Sequence, residues 1–136
     1  MSIQFYTVIF ITILITLLTQ ASQVSIIRTR RKFDIPPAGS KDHAELDRFH
    51  RAHTDQIEQN IVFLPILWVS SVLVNWMFIL LLGLSWVLLR AVYIRGFVTK
   101  NDKIRDLGST GYLAVQITLF FLVFAGFGID LLDIKF

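Results

Sequence analysis

Apolar and polar residues alternate along this chain in long blocks, not in the short periods of a soluble helix or strand. Residues 3–27 contain no charged side chain. A transmembrane helix needs about 20 mainly apolar residues, so this block is long enough to span with some tilt. No Lys or Arg precedes the apolar run, which sets it apart from a cleaved signal peptide. The next block, "RTRRKFDIPPAGSKD" (28–42), reads as a loop, because Pro36-Pro37 breaks helix and Gly39-Ser40 supplies turn chemistry. Asp42, with Glu45 three residues on, has the spacing of a capping box and predicts a second helix over 43–74.

Residues 61–89 again carry no charge, too long a stretch for one span. Asn75-Trp76 divides it into a tight hairpin with an interfacial Trp, placing a third helix over 76–97. A polar stretch, "VTKNDKIRDLGST", reads as a second loop over 98–110, and a fourth span follows over 111–132. The expected fold is an all-α integral membrane four-helix bundle, one domain over residues 1–136.

Composition supports a lipid environment. Apolar residues make up 54% of the chain and mean hydropathy is +0.64, yet 136 residues cannot enclose that much hydrocarbon in a core. The net charge is +3, but its placement matters more. Of 13 Lys and Arg residues, all but Lys135 fall within 28–51 and 90–105. No basic recognition helix accompanies them, which argues against nucleic acid. Loops on one side of a bilayer show this bias, and the positive-inside rule makes that side cytoplasmic, with both termini opposite. Cysteine is absent. That excludes disulfides, thiolate metal sites and a cysteine nucleophile, so any thiol must arrive on a ligand.

The candidate chemistry lies in "LDRFHRAHTDQIEQNIVFLPILW", residues 46–68, where charges run straight into hydrocarbon. At 100 degrees per residue, Arg48, Arg51, Asp55 and Glu58 share a stripe about 80 degrees wide. One reading is a solvated helix end laced by i,i+4 pairs such as Arg51–Asp55. The other is a polar cavity at membrane depth, where ionisable groups usually meet a partner. The third helix adds Arg90, Tyr93 and Phe97 at i, i+3 and i+7, within about 60 degrees of one another. Alone, Arg90 reads equally as a snorkelling residue and Tyr93 as an interfacial aromatic. Together these groups suit a zwitterionic, peptide-like ligand with excess negative charge, its carboxylates held by arginines and its ammonium by Glu58 or Asp55. There is no glycine-rich phosphate loop. His50 and His53 could share a metal at i,i+3, but no further His or Cys completes a site, so no metal is expected. His53 points about 160 degrees from Arg51, toward another helix or subunit.

The pattern "TRRKF…PP…RFHRAHTDQIEQNIVFLPILW", followed by "LLRAVYIRGF" and a downstream Arg, resembles the MAPEG family, membrane-associated proteins of eicosanoid and glutathione metabolism. It is similar to the leukotriene-C-synthase and microsomal glutathione transferase branches, with their RAxxNxxE and RxxYxxGY segments. The resemblance implies a homotrimer binding glutathione as co-substrate between neighbouring subunits. It implies that Arg51 grips the tripeptide, Glu58 meets its amine and Tyr93 contacts it from the third helix. Arg30 and His53 would reach it across the subunit boundary. Arg105 would activate the thiol, with Lys103 a rival because the spacing from Phe97 differs by about a residue. Two further departures are Asp55 for the family Asn and Phe97 for the usual Tyr. The implied reaction is attack on a lipophilic electrophile, or reduction of a lipid hydroperoxide, entering from membrane lipid past apolar faces near Trp76 or Trp86. The alternatives are a non-catalytic lipid-binding scaffold of the same family, and an unrelated carrier using the charges as an ion path.

Overall fold

The structure, a computed structural model, describes residues 2–37 and 43–133. These form four helices: α1 (Ile3–Lys32), α2 (Ala44–Leu73), α3 (Trp76–Val98) and α4 (Asp102–Asp133). All four are long and apolar enough to cross a membrane. The helices α2 and α3 form the central pair, each packing on α1 and α4, while α1 and α4 lie on opposite sides and do not touch. The outward faces carry Leu17, Val72, Leu88, Phe121 and Phe124, all exposed, as expected where lipid replaces water.

Two helix boundaries differ from those expected. The helix α1 continues through Arg28–Lys32, and α4 begins at Asp102, not at 111. Apolarity marks where hydrocarbon ends, whereas the backbone keeps its hydrogen bonds until something stops it. The stop for α1 is Asp34, at φ 53. It lets Ile35 N–H reach Arg30 O at 2.9 Å and Asp34 N–H reach Arg31 O at 3.4 Å, a Schellman ending. Lys100, at φ 57, ends α3 the same way: Asn101 N–H bonds Gly96 O at 2.9 Å. Asn101 Oδ1 then accepts from Ile104 N–H at 3.3 Å and starts α4. Only Thr99, Lys100 and Asn101 separate the two helices.

The other connections follow the sequence more closely. Asn75 caps α3, its Oδ1 accepting from Met77 N–H at 3.0 Å, so the long uncharged block divides at Asn75-Trp76. Asp42 lies outside the described residues; the observed cap of α2 is His43, whose Nδ1 accepts from Leu46 N–H at 3.4 Å.

Close packing centres on α3. Phe63 of α2 stacks on Trp86 with ring centroids 4.1 Å apart, and both are fully buried. Gly96 presses against the backbone of Ile104 and Arg105, where an added Cβ would fall 2.3 Å from Arg105 N. Gly108 sits equally tightly on Tyr93. Small residues at these crossings let two membrane helices approach closely.

Candidate functional site

Arg48 and Arg51, one turn apart on α2, open into a cleft of about 280 Å³, completed by Ala44, Asp47 and, from α3, Phe97. Arg51 is exposed and Arg48 half-buried. The Nε of Arg48 is buried without a hydrogen-bond partner. A buried donor left unmade typically costs about 1–3 kcal/mol, more when charged. The cleft is lined by two guanidinium groups with no hydrogen-bond or ion-pair partner among the described residues, suited to pairing with a carboxylate.

Asp55 does not face that cleft as a free carboxylate. Its Oδ2 accepts from Arg90 Nη2 at 2.8 Å across the α2–α3 boundary. Arg90 is fully buried, and its Nε also donates to Gln56 Oε1 at 2.8 Å. The rings of Tyr93, Tyr112 and Trp86 surround the guanidinium, with centroids 4.8, 4.6 and 5.9 Å from its central carbon. Burying a charge is tolerable only when it is paired and bonded; Arg90 is held by one ion pair, one amide and three π faces. Of its nitrogens, Nη1 alone is buried without a partner.

From this centre a polar chain runs to α1. Gln56 Nε2 donates to Asn60 Oδ1 at 2.8 Å, and Asn60 Nδ2 donates to Thr19 Oγ1 at 2.8 Å. His53 also turns to α1, its Nδ1 lying 2.6 Å from Ser22 Oγ. The Ser22 hydroxyl is within 2.7 Å of the Thr19 carbonyl, which can only accept. The Ser22–His53 contact ties α2 to α1 whichever of the two carries the shared proton. Arg30, at the end of α1, donates to Pro36 O at 2.9 Å and lies 3.3 Å from His50 Nε2.

The remaining predicted residues are not among those that line the cleft. Glu58 is exposed on α2. Tyr93 is half-buried and stacks on Phe97 with centroids 6.2 Å apart. Arg105, with 39% of its side chain exposed, lies in the second turn of α4 and bridges Asp102 at 3.0 Å and Asp106 at 3.2 Å. Lys103 is exposed, one residue after the start of α4. Arg48, Arg51 and Phe97 thus come together, Arg90 and Asp55 form the buried pair beneath, and Arg30 and His53 engage α1.

Several participants are not apparent from the stripe. Gln56 and Asn60 are polar at i,i+4 within a span, a signal that could have revealed them. Tyr112 and Gln116 could not be placed without the crossing of α3 and α4; Trp86 Nε1 donates to Gln116 Oε1 at 3.4 Å. Trp86 itself is fully buried, so it belongs to the core and not to a lipid-facing pocket. Among the described residues no group of three or more His, Cys, Asp or Glu is placed to hold a metal.

A four-helix membrane bundle with an arginine-lined cleft at its basic end is the class that these features define. The chain belongs to the MAPEG family, whose profile it matches over residues 7–125. It is also similar to an uncharacterized protein of Synechocystis sp., 28% identical over 93 residues, which is 68% of each chain. The family includes glutathione transferases and also non-catalytic members.

Proposed function

We propose that this protein is a membrane-bound glutathione transferase. The observation that carries the reading is the Arg48–Arg51 cleft, whose unpaired guanidinium donors match the carboxylates of a tripeptide anion. Exposed Glu58, two turns along α2 from Arg51, is the acceptor for the ligand's ammonium group. Tyr93 and Phe97 form the aromatic wall. Arg90 and Asp55 satisfy each other and hold the wall in place beside α2.

A free thiol of this type has a pKa near 8.5, and the thiolate is the nucleophile. A guanidinium beside the sulfur favours the thiolate, each unit of lowering corresponding to about 1.4 kcal/mol. Arg105 supplies that field electrostatically, since arginine cannot act as a base. The thiol proton leaves to solvent, the sulfur bonds to the electrophilic carbon and the leaving group departs with its electron pair. With a lipid hydroperoxide the sulfur instead attacks the peroxide oxygen, the O–O bond breaks and the lipid leaves as its alcohol; a second glutathione then displaces water from the resulting sulfenic acid to give the disulfide. Apolar grooves between α2 and α4 support entry of such partners from lipid: one of about 290 Å³ beside Val62 and Gln116, another of about 340 Å³ beside Leu73 and Phe124. In a homotrimer a neighbour's α1 end, bearing Arg30, would roof the open cleft. His53 would have to leave Ser22 to join it.

One observation favours the second reading, a non-catalytic lipid-binding scaffold. Arg105 is bridged to Asp102 and Asp106, which offsets its charge. Detergent-purified protein should conjugate glutathione to a generic aryl halide and bind it by calorimetry at millimolar thiol. Binding without turnover would support the scaffold, and absence of both would overturn the glutathione reading.

A further inference from the structure

Toward the basic end, α1 and α3 border a slot that shares no lining residue with the arginine cleft. They are pressed together lower down, where Ile11 packs on Gly83 at 2.9 Å from its would-be Cβ. Nearer the basic end α1 leans on α2 instead, through Ser22–His53 at 2.6 Å and the cluster of Ile26, Ile35 and Leu46. The result is a slot of about 360 Å³ along α3, walled by Leu18, Phe49, Ala91, Ile94 and Val98, with Arg95 at its side.

Arg95 is exposed, and its guanidinium has no hydrogen-bond or ion-pair partner among the described residues. At this end of the bundle Glu45 pairs with Lys32, and Asp102 and Asp106 with Arg105. The last turns of α1 contribute further positive charge, Arg28 to Lys32, with Asp34 just beyond them. An unopposed cation beside an apolar slot at the positive end of a membrane bundle has the chemistry of an acidic-lipid site.

We infer that the α1–α3 slot binds an acidic phospholipid, one acyl chain lying against Ala91 and Ile94 and the phosphate against Arg95. Further along the pair, α1 and α3 are in contact at Ile11–Gly83. A partner helix about 10 Å across would need a face open along its whole length, whereas an acyl chain needs only a short slot open to lipid. The inference stands apart from the glutathione reading, since it uses none of the residues placed in the cleft.

Native mass spectrometry of the delipidated full chain, offered equimolar phosphatidylglycerol and phosphatidylcholine of identical chains, tests it. The wild type should retain phosphatidylglycerol about fivefold over phosphatidylcholine, the effect expected of one basic residue near a lipid headgroup. Arg95→Gln should bring the ratio near unity, while Arg31→Gln, on the opposite side of α1, should leave it unchanged. Ala91→Phe, at an exposed position, should reduce retention of both lipids by filling the slot. Equal retention by the wild type, an unaltered preference in Arg95→Gln, or undiminished lipid in Ala91→Phe would each overturn the assignment. The chain has no cysteine, so an Ala91→Cys variant reports whether another copy covers the slot. No disulfide-linked pair should form on oxidation; efficient cross-linking would show the occupant to be protein and refute the lipid site.

Discussion

Asp55 Oδ2 lies 2.8 Å from Arg90 Nη2, joining α2 to α3 through a guanidinium that is itself wholly buried. Truncating the carboxylate would leave a buried cation without its counter-charge. Asp55→Ala should therefore destabilise the protein by about 2–3 kcal/mol, below the full range for a buried pair because Asp55 keeps 28% of its side-chain surface. Asp55→Asn, which retains the acceptor, should cost less. Thermal unfolding in detergent measures both: equal losses would deny the acceptor a role, and an unchanged Asp55→Asn would deny the charge one.

Gly96 has no room for a methyl group, since its Cβ would meet the Arg105 backbone at 2.3 Å. Gly96→Ala should push α4 away from α3, lowering the melting temperature and displacing Arg105. Gly128→Ala is the matched control: no atom lies within 4 Å of its would-be Cβ. It should leave stability unchanged or slightly raised, because Ala exceeds Gly in helix propensity by about 1 kcal/mol. Similar losses in both variants would show that the close crossing at Gly96 is not the cause.

Under the proposed mechanism, Arg105→Ala should lower kcat at least about tenfold while changing glutathione affinity little. Its pH–rate profile should move toward the free-thiol value near 8.5. If Lys103→Ala produces that shift and Arg105→Ala does not, the thiolate partner is the lysine. Asp102→Asn, which frees Arg105 from one of its two bridges, should raise turnover or leave it unchanged.

Asn60 carries the polar chain between Gln56 and Thr19. Interhelical hydrogen bonds of this kind contribute about 0.6 kcal/mol on average in membranes. Thr19→Val and Asn60→Leu should each be mildly destabilising, and the double variant should lose less than the two losses added. Strict additivity would mean that the two side chains do not interact.

The four helices and the break at Asn75-Trp76 are legible in the sequence because charge-free blocks and a capping side chain both report on them. The ends of α1 and the start of α4 are not, since polar turns at 28–32 and 102–110 carry the helix past the hydrocarbon. At the site, the periodicity of α2 places Arg48 and Arg51 on one face, and the structure opens a cleft there. The partner of Asp55 stayed hidden for a physical reason. Within its own helix Arg51 is the obvious counter-charge, and only the packing of α3 decides that Arg90 takes that place. His53 is similar: its angle shows that it leaves the stripe, but not that Ser22 receives it.

The connection through Thr99, Lys100 and Asn101, with Gly96 and Gly108 seated against the opposite backbones, leaves α3 and α4 no freedom to slide past one another. Beside the cleft, Arg90 is the side-chain pin between α3 and α2, through Asp55 and Gln56. Under the proposed function, widening the Arg48–Arg51 cleft for a larger guest would work against that pin. Its calibre would respond to the strength of a contact that no guest touches.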